Sequence, residues 1–359
     1  MEFPQKFIGR TTRYATGKRP VCAPCLRRTF DVPEGTKECR LAICGLGFYR
    51  LYINAKDITK GLLSPYLSNP DHLVYCDEYD LTPYVKAGKN CIAILLGSGM
   101  LNAVDGISWD DVEQRPWRSA PKVALIVEAD GKKLVESDDK FKTHDSPWYY
   151  EELRAGERYD ARKEEAGWKK TDFDDASWDD AIYVEPFKGE MRPSTHVRPI
   201  RVVKERSAVA VTKTKKGFLY DFGYNTAGIF RMTIKSTAPG QTLTIRLGEW
   251  KTEGRLNQRN IKPRGDRPFQ ECVYICKGAE EESFSPRFSY YGFRYIEVWG
   301  IRAEQAEKDL FTMEAHTDMP RTGEETAVEI EAEGKVYGIL RLPNGRTEKI
   351  IAGKARYLV

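Results

Sequence analysis

The sequence predicts an all-β chain built from β-sandwich domains, and three observations lead to that fold class. Short runs of alternating Val, Ile, Tyr, Phe and Leu recur through the 359 residues, separated by Gly, Pro, Asn and Asp. No segment keeps an apolar period of about 3.6 residues, so long helices are not expected. Turn signals fall at the spacing that sandwiches need, and 41% hydrophobic residues suffice for the cores of two domains.

The strands of the first predicted domain, residues 1–200, come from apolar runs that end at turn residues. The run "RLAICGLGFYRLYINAKDIT" predicts two strands around a bend, with Asn54-Ala55 as a hairpin turn that lacks the usual glycine. "NCIAILLG" predicts a buried strand, and "KVALIVEADGKKLVESDD" predicts a hairpin with Asp130-Gly131 at its tip. The polar, turn-rich residues 151–181 are expected to cover this sandwich.

A second domain, residues 201–320, is predicted where "RPIRVVKERSAVAV" starts a new set of strands. The stretch "FSPRFSYYGFRYIEVWG" alternates aromatic and aliphatic residues, and we interpret it as core packing rather than a surface for a planar ligand. Gly292 is expected to mark a bulge or a close backbone approach. Arg287 and Arg294 are spaced to pair with sheet carboxylates such as Glu297.

The end of the chain, residues 321–359, is predicted to form a short hairpin around the turn Pro343-Asn344-Gly345. Upstream, Cys22 and Cys25 form a CxxC pair, but no second pair of ligands matches it, so a zinc site is not expected.

Composition excludes several classes of partner. The chain has 57 basic and 53 acidic residues, a net charge of +4, which does not favour nucleic acid. No apolar run approaches the roughly 20 residues of a membrane span, and the N-terminus lacks the apolar core of a secretory signal. Several of the eight cysteines lie inside strand-like runs, so a cytoplasmic protein with free thiols is expected.

Sequence patterns of common catalytic sites are not evident. None of the four histidines accompanies a nucleophile-elbow motif. The carboxylate runs Asp172–Asp175 and Glu280–Glu282 are expected in solvated turns. We therefore predict no catalytic residues in this chain.

The order of several motifs resembles that of bacterial α-L-rhamnosidases over residues 5–320. "GFYRLYINAKDI", "NCIAILLGSGMLNA" and "ERYDARKEEAGWKKTDFDDASWDDA" are similar to their N-terminal β-sandwich. "LYDFGYNTAGIFRMTI", "TIRLGEW" and "FSPRFSYYGFRYIEVWG" are similar to their concanavalin-like domain. The resemblance implies two jelly-roll or concanavalin-like sandwiches, followed by a short hairpin similar to the last strands of the family's C-terminal β-domain.

The resemblance also bears on activity, because the family carries its catalytic carboxylates on an (α/α)6 barrel, in an acidic segment that nothing in this chain matches. We therefore expect a non-catalytic accessory protein that binds rhamnose or a rhamnose-containing glycan. One alternative is an inverting α-L-rhamnosidase, or one subunit of a split rhamnosidase. The other is a structural remnant or a scaffold that binds a partner.

Carbohydrate binding is predicted on the loop Gly97–Trp117, together with the stretch Pro65–Asn69. A sugar offers an apolar ring face and a rim of hydroxyls, so its site combines aromatic and polar side chains. The resemblance implies that some family members bind rhamnose with calcium on this sandwich, although Ser98 and Met100 replace the usual Asn and aromatic residue. Calcium is thus the one cofactor that the resemblance implies, and no ligands for it are assigned. In the alternative interpretation of the loop, its tryptophans pack against the sandwich and hold the loop in place. The predicted binding residues are Asn69, Asn102, Asp105, Trp109, Asp110 and Trp117.

A second cluster, Asp221, Asn225 and Glu249, lies in "DFGYNTAG" and "RLGEW". Asp221 and Gly223 suit a tight turn that Asn225 caps, which favours a structural role. The resemblance implies that this edge faces the barrel in full-length enzymes. These residues are therefore also candidates to face a ligand or a separate catalytic barrel.

Overall fold

The computed structural model describes residues 2–16, 19–103, 118–195, 198–261, 269–317, 328–332, 335–341 and 347–351. Two compact units divide the chain, Met1–Thr317 and Asp318–Val359. Strands of the first unit are β1 (Phe7–Gly9), β2 (Pro24–Val32), β3 (Cys39–Leu46), β4 (Phe48–Ile53), β5 (Lys56–Asp57), β6 (Leu73–Asp80), β7 (Gly88–Gly97), β8 (Lys122–Ala129), β9 (Lys132–Glu136), β10 (Lys142–Asp145), β11 (Trp148–Glu152), β12 (Gly156–Asp160), β13 (Asp179–Asp180), β14 (Ile182–Val184), β15 (Glu190–Pro193), β16 (Ile200–Ser207), β17 (Ala210–Lys213), β18 (Gly217–Gly228), β19 (Arg231–Lys235), β20 (Thr242–Gly248), β21 (Trp250–Thr252), β22 (Arg255–Asn257), β23 (Glu271–Ile275), β24 (Glu281–Phe284), β25 (Tyr291–Trp299) and β26 (Phe311–Thr317). Two short 3-10 helices, Ala161–Lys163 and Ala303–Gln305, accompany them.

The first sandwich packs two sheets face to face. One sheet has the order β14-β1-β8-β3-β6-β15, with β9 paired to β8, and the other has the order β13-β10-β2-β7-β4-β5. Inward-facing residues of both sheets, such as Leu26, Ile43, Ile94 and Leu125, form one buried core. The alternating apolar pattern therefore produces the layered β architecture that the sequence predicts.

Both predicted hairpin turns of this sandwich are present. Asn54 and Ala55 connect β4 to β5 with φ angles of 49° and 69°, and Asp130 and Gly131 connect β8 to β9 with 47° and 77°. Positive φ at both central residues is the geometry that matches the twist of paired strands. Ala55 adopts it despite its Cβ, so strand pairing dictates the turn here.

The second sandwich has a sheet in the order β11-β12-β23-β20-β25-β18-β17 and a smaller sheet in the order β16-β26-β19-β24. Its core includes Tyr220, Phe230, Ile245, Tyr274 and Phe311. The hairpin β11–β12 precedes residue 200 in the chain, yet β12 pairs in parallel with β23 of this sheet. The predicted domain boundary near residue 200 stays a prediction.

Residues that follow β12 return to the first sandwich, as expected for a covering segment. Trp168, Phe173 and Trp178 pack in one cluster with Cys25 and Tyr52 on the outer face of the β2–β7–β4 sheet. The covering role predicted for residues 151–181 is confirmed for 168–178, whereas 151–160 form strands of the second sandwich and Ala161 packs in its core.

The aromatic stretch at 284–300 is core packing, as predicted. Phe284, Phe288 and Phe293 are buried, and a Cβ on Gly292 would lie 3.2 Å from Glu249 Oε1, a close approach. Arg294 pairs with a sheet carboxylate, as predicted, but the partner is not Glu297. Arg294 binds Asp221 instead. The strand register shifts at this point, because Asp221 lies opposite Tyr295 while Thr226 lies opposite Phe293. The four residues 222–225 therefore lie opposite the single residue Arg294.

Glu157 on β12 joins the two sandwiches. Its side chain is 0% exposed, and its carboxylate accepts hydrogen bonds from Trp148 Nε1 at 2.7 Å, the Phe288 amide at 2.7 Å and Ser289 Oγ at 2.7 Å. The Arg287 amide donates to both oxygens. Phe288, fixed in this way, packs with Phe48 of the first sandwich. Burial raises the pKa of Glu157, and these hydrogen bonds offset part of that effect.

A different buried carboxylate, Glu282 on β24, closes a turn of the second sandwich. It accepts hydrogen bonds from Thr237 Oγ1, Tyr274 Oη at 2.8 Å and the backbone amides of residues 277–279. Burial acts to raise its pKa, but the hydrogen bonds outweigh burial and lower the pKa to about 2. The ionised form is therefore the one that stabilises the fold.

The second unit contains β27 (Val328–Ala332), β28 (Lys335–Arg341) and β29 (Thr347–Ile351), which pair antiparallel in that order. The predicted hairpin is present as β28 and β29, with β27 added, while Pro343-Asn344-Gly345 lies outside the described residues. All eight cysteines, each within the described ranges, are unpaired. In those ranges no helix is long and apolar enough to cross a membrane.

Glu157→Gln should lower the free energy of unfolding by about 2 kcal/mol, because the amide nitrogen would face a donor that now bonds to an oxygen. Urea unfolding followed by tryptophan fluorescence at pH 7 measures this change. Glu34→Gln, at an exposed position, is the matched control and should change it by less than about 0.5 kcal/mol. A loss as small as that of the control would contradict the proposed junction.

Glu282→Gln should destabilise the protein by about 3 kcal/mol at pH 7, from a pKa lowered to about 2 against an ordinary 4.5. Since the folded-state pKa is the lower one, this stabilisation is present above pH 4.5 and is lost as the pH falls towards 2. The difference from wild type should therefore shrink over that interval. Urea titrations between pH 7 and pH 2.5 check this, with the exposed neighbour substitution Glu281→Gln as control; a constant difference would refute it.

Candidate functional site

A cleft lies where the first sandwich meets the segment that leads into β16. We call it the linker cleft; its volume is about 290 Å³. Apolar side chains form most of its wall, and a few polar groups line the rest, the composition typical of small-ligand sites. The lining residues are Phe48, Lys60, Leu62, Leu63, Ser64, Pro65, Tyr66, Leu67, Asp77, Ser194, Thr195, Pro199 and Ile200.

Backbone hydrogen bonds hold the loop that forms the apolar wall. The Leu62 amide donates to the Ile200 carbonyl at 2.7 Å, and the Tyr49 amide donates to the Ser64 carbonyl at 2.8 Å. Tyr66 follows these anchors and is 43% exposed. An aromatic ring is thus presented to solvent on a loop that is fixed at its base.

The polar wall is organised by Asp77, a buried residue of β6. Its carboxylate accepts hydrogen bonds from Tyr49 Oη and Ser194 Oγ, and Tyr49 Oη lies 2.9 Å from Tyr79 Oη. Burial, followed by the charges of Tyr79 and Asp77, raises the pKa of Tyr49, so its hydroxyl keeps the proton that it donates. Two hydroxyl donors thus hold the Asp77 carboxylate in place as an acceptor.

Lys60 supplies the positive charge of the linker cleft. Its ammonium lies 4.9 Å from the centroid of the Tyr79 ring and pairs with no carboxylate in the described part of the chain. Thr195, an exposed residue, adds a hydroxyl group to the lining of the cleft. Both groups are available to hydrogen-bond a ligand, so the arrangement is suited to binding a small polar molecule with an apolar face.

The six individual residues predicted for sugar binding either lie away from the linker cleft or fall outside the described residues. Asn102 is 1% exposed; its Oδ1 accepts from the Ala15 amide at 2.6 Å and its Nδ2 donates to Ser98 Oγ at 3.0 Å. Asn69 is exposed, and its side chain accepts from the Asp71 amide at 3.1 Å in a turn. Neither residue lines the linker cleft. Four further residues predicted for binding, Asp105, Trp109, Asp110 and Trp117, lie outside the described residues, and the whole assignment stays a prediction.

The second predicted cluster is assembled by neighbouring strands. Asp221 on β18 and Gly248 on β20 lie opposite Tyr295 from the two sides of β25, so the strand that carries Asp221 and the one that leads into Glu249 flank β25. Arg294 donates to both Asp221 oxygens, at 2.9 and 3.1 Å, and the Gly223 amide donates at 2.8 Å.

Electrostatics give Asp221 a structural role in this cluster. Burial acts to raise its pKa, but the bonds from Arg294 and Gly223 outweigh burial, and the pKa is lowered. Glu249 accepts from Asn260 Nδ2 at 3.1 Å, while Asn225 is exposed in the irregular part of β18. Asp221 therefore stays ionised and paired with Arg294, which favours a structural role. The predicted tight turn is wrong, because Gly217–Gly228 is one strand whose register shifts after Asp221.

Sequence reasoning found one part of the linker cleft and missed the rest. The predicted stretch Pro65–Asn69 contributes Pro65, Tyr66 and Leu67 to its lining. An exposed aromatic after a proline in "LLSPYLSN" was a usable signal for Tyr66, whereas Asp77 sits in a strand run and carries no local signal. For metals, the described ranges hold no group of three or more His, Cys, Asp or Glu side chains placed to bind an ion. Calcium therefore remains a prediction tied to the loop that lies outside them.

Comparison with known proteins matches two family models in succession. Residues 34–204 match the alpha-L-rhamnosidase N-terminal domain, and residues 211–316 match the bacterial alpha-L-rhamnosidase concanavalin-like domain. An alpha-L-rhamnosidase of Formosa agariphila is 29% identical over 335 residues, which cover 88% of this chain and 34% of the relative. One of Streptomyces avermitilis is 30% identical over 304 residues, which cover 83% and 29%.

Solved structures give the same relationship. The alpha-L-rhamnosidase of Dictyoglumus thermophilum aligns with a TM-score of 0.75 at 29% identity, over 90% of this chain and 36% of the other. That of Streptomyces avermitilis, complexed with L-rhamnose, aligns with a TM-score of 0.76 at 27% identity, over 87% and 30%. The chain thus spans about a third of the length of the curated relatives that it matches. Through these two consecutive β-domains, the chain belongs to the bacterial α-L-rhamnosidase family.

Proposed function

We propose that this chain is a non-catalytic carbohydrate-binding unit, and that its ligand carries L-rhamnose. The observation that supports this proposal best is the linker cleft, a pocket of sugar-like size with an exposed Tyr66 and a few fixed polar groups. The Streptomyces avermitilis relative, solved with L-rhamnose, guides the choice of sugar.

The chemistry of L-rhamnose agrees with the wall of the linker cleft. Rhamnose is a 6-deoxy sugar, so it presents a methyl group and C–H faces beside its hydroxyls. Leu63, Pro65 and Leu67 offer the methyl group an apolar wall, and Tyr66 offers a ring to a C–H face. Lys60 and Thr195 are the groups to which hydroxyls would bond.

Binding, rather than hydrolysis, is favoured by the acid groups of the linker cleft. Inverting glycoside hydrolysis requires a general acid and a general base on opposite sides of the scissile bond. Asp77 is the sole carboxylate among the described lining residues, and two hydroxyls already donate to it. Calcium is retained as a candidate cofactor because the family resemblance implies it for rhamnose binding on this sandwich.

Titration of the protein with L-rhamnose in a calorimeter should show binding, and Tyr66→Ala should weaken it about tenfold, the loss of one stacked ring. Tyr183→Ala, a similarly exposed tyrosine away from the linker cleft, is the matched control and should leave binding unchanged. Repeating the titration with calcium tests that cofactor. Absence of heat at millimolar sugar, or hydrolysis of an aryl rhamnoside that a single carboxylate substitution abolishes, would reject the proposal.

A second candidate function, docking of a separate catalytic barrel, is favoured by apolar residues beside Asp221. Val209 is 60% exposed and its amide donates to the Asp221 carbonyl, and Trp250 is 61% exposed beside Lys251, whose ammonium lies 3.8 Å from Asp221. Large exposed apolar side chains grouped around charged residues are typical of interfaces. The family resemblance suggests the barrel as the partner.

Trp250→Ser should weaken association with a purified helical barrel of a family member about tenfold, as measured by sedimentation velocity. Ile182→Ser, another exposed apolar residue, is the control and should have no effect. Failure of the wild-type chain to associate at micromolar concentration would reject this second function.

A further inference from the structure

An aromatic-walled cavity lies on the opposite side of the β2–β7–β4 sheet from the first core. We call it the tryptophan cavity; its volume is about 300 Å³. Three parts of the chain enclose it: the outer face of that sheet, the covering segment, and the hairpin β11–β12 with the adjoining loop of the second sandwich. Its aromatic lining consists of Tyr52, Trp148, Tyr159, Trp168 and Trp178.

The aromatic walls are held by ring-to-ring contacts. Trp148 packs edge-on against Tyr159 with centroids 4.5 Å apart, and Trp168 lies 6.0 Å from Tyr52 and 6.1 Å from Trp178. Trp178 is buried, and its indole N–H has no acceptor among the described residues. The cavity therefore has fixed aromatic walls.

Two positive charges face the same cavity. The ammonium of Lys169 lies 4.2 Å from the Tyr52 ring centroid and 5.5 Å from that of Trp168, and Arg287 comes from the loop that Glu157 anchors. Both residues line this one cavity, and burial, followed by the charge of Arg287, lowers the pKa of Lys169. Within the described ranges, neither head group forms an ion pair with a carboxylate.

Most carboxylates of the cavity are already neutralised. Asp145 accepts from Arg10 at 2.7 Å, and Glu164 binds Lys277 at 2.6 Å and accepts from Tyr159 Oη at 2.7 Å. Glu165 is the remaining carboxylate in the lining. Among the described residues, the two cations Lys169 and Arg287 have no carboxylate partner, and Glu165 is the one carboxylate of the lining without a cationic partner. The cavity therefore has an excess of positive charge, which an anionic group would balance.

We propose that the tryptophan cavity binds a carboxylate-bearing sugar residue, a uronic acid. Its carboxylate would lie between Lys169 and Arg287, and its ring would pack against a tryptophan face. Glu165 would accept a hydroxyl. The cavity lies at the lower end of the volume range of ligand pockets, which suits a single monosaccharide unit. This site shares no lining residue with the linker cleft, so the inference does not rest on rhamnose binding.

Calorimetric titrations of the full chain with D-galacturonate, D-galactose and inorganic phosphate test this inference. Galacturonate should bind at least about tenfold more tightly than galactose, and quench tryptophan fluorescence. Arg287→Gln and Lys169→Gln should each weaken galacturonate binding about tenfold, the loss of one charge-assisted hydrogen bond. Lys132→Gln, an exposed lysine on β9, is the matched control and should bind as wild type. Thermal midpoints of all variants verify folding.

The outcomes separate this proposal from rhamnose binding. Arg287→Gln should leave the L-rhamnose titration unchanged, and Tyr66→Ala should leave the galacturonate titration unchanged. The proposal is overturned if galactose or phosphate binds as tightly as galacturonate. It is also overturned if folded Arg287→Gln and Lys169→Gln both retain wild-type affinity, or if galacturonate gives no heat at millimolar concentration.

Discussion

The carboxylate of Glu157 is the interaction on which the arrangement of the two sandwiches depends. It sits on a strand that crosses into the second sandwich, and it gathers donors from Trp148 and from the backbone of Arg287 and Phe288. An acceptor-only group is needed, because every neighbour brings an N–H or O–H. Phe288 packs with Phe48, which also lines the linker cleft. The preceding residue, Arg287, lines the tryptophan cavity. The Glu157 carboxylate thus fixes a loop that borders the tryptophan cavity and packs against a residue of the linker cleft.

Comparison of Glu157 with Glu282 shows how the fold treats buried carboxylates. Both accept several hydrogen bonds, yet the pKa of Glu157 is raised and that of Glu282 is lowered. Burial dominates at Glu157, which lies between two sandwiches, whereas three consecutive amides and a threonine hydroxyl outweigh burial at Glu282. The first carboxylate therefore specifies the junction at a cost in stability, and the second stabilises its turn outright.

Local patterns in the sequence were enough for the strands and their turns, because alternation and turn residues act over a few positions. Asn54-Ala55 and Asp130-Gly131 are examples. The parallel pairing of β12 with β23 joins residues more than a hundred positions apart, and no local pattern encodes it. The same limit explains the wrong partner of Arg294, since four residues of β18 opposite one of β25 change which carboxylate it meets. Of the linker cleft, the stretch Pro65–Asn69 was predicted, whereas the more distant lining residues Asp77 and Ile200 had no local signal.

The two proposed sites differ in the chemistry they select. The linker cleft offers apolar walls and a carboxylate already satisfied by hydroxyls, which suits a neutral deoxy sugar, whereas the tryptophan cavity offers aromatic walls and unpaired cations, which suits an acidic one. Phe48 and Phe288 belong to one buried cluster that adjoins both, so no flexible linker separates the sites. A glycan that carries both kinds of sugar at the matching spacing would gain affinity from a second, effectively intramolecular contact. Such a pair of sites would select a glycan by the combination of sugars that it carries rather than by one sugar alone.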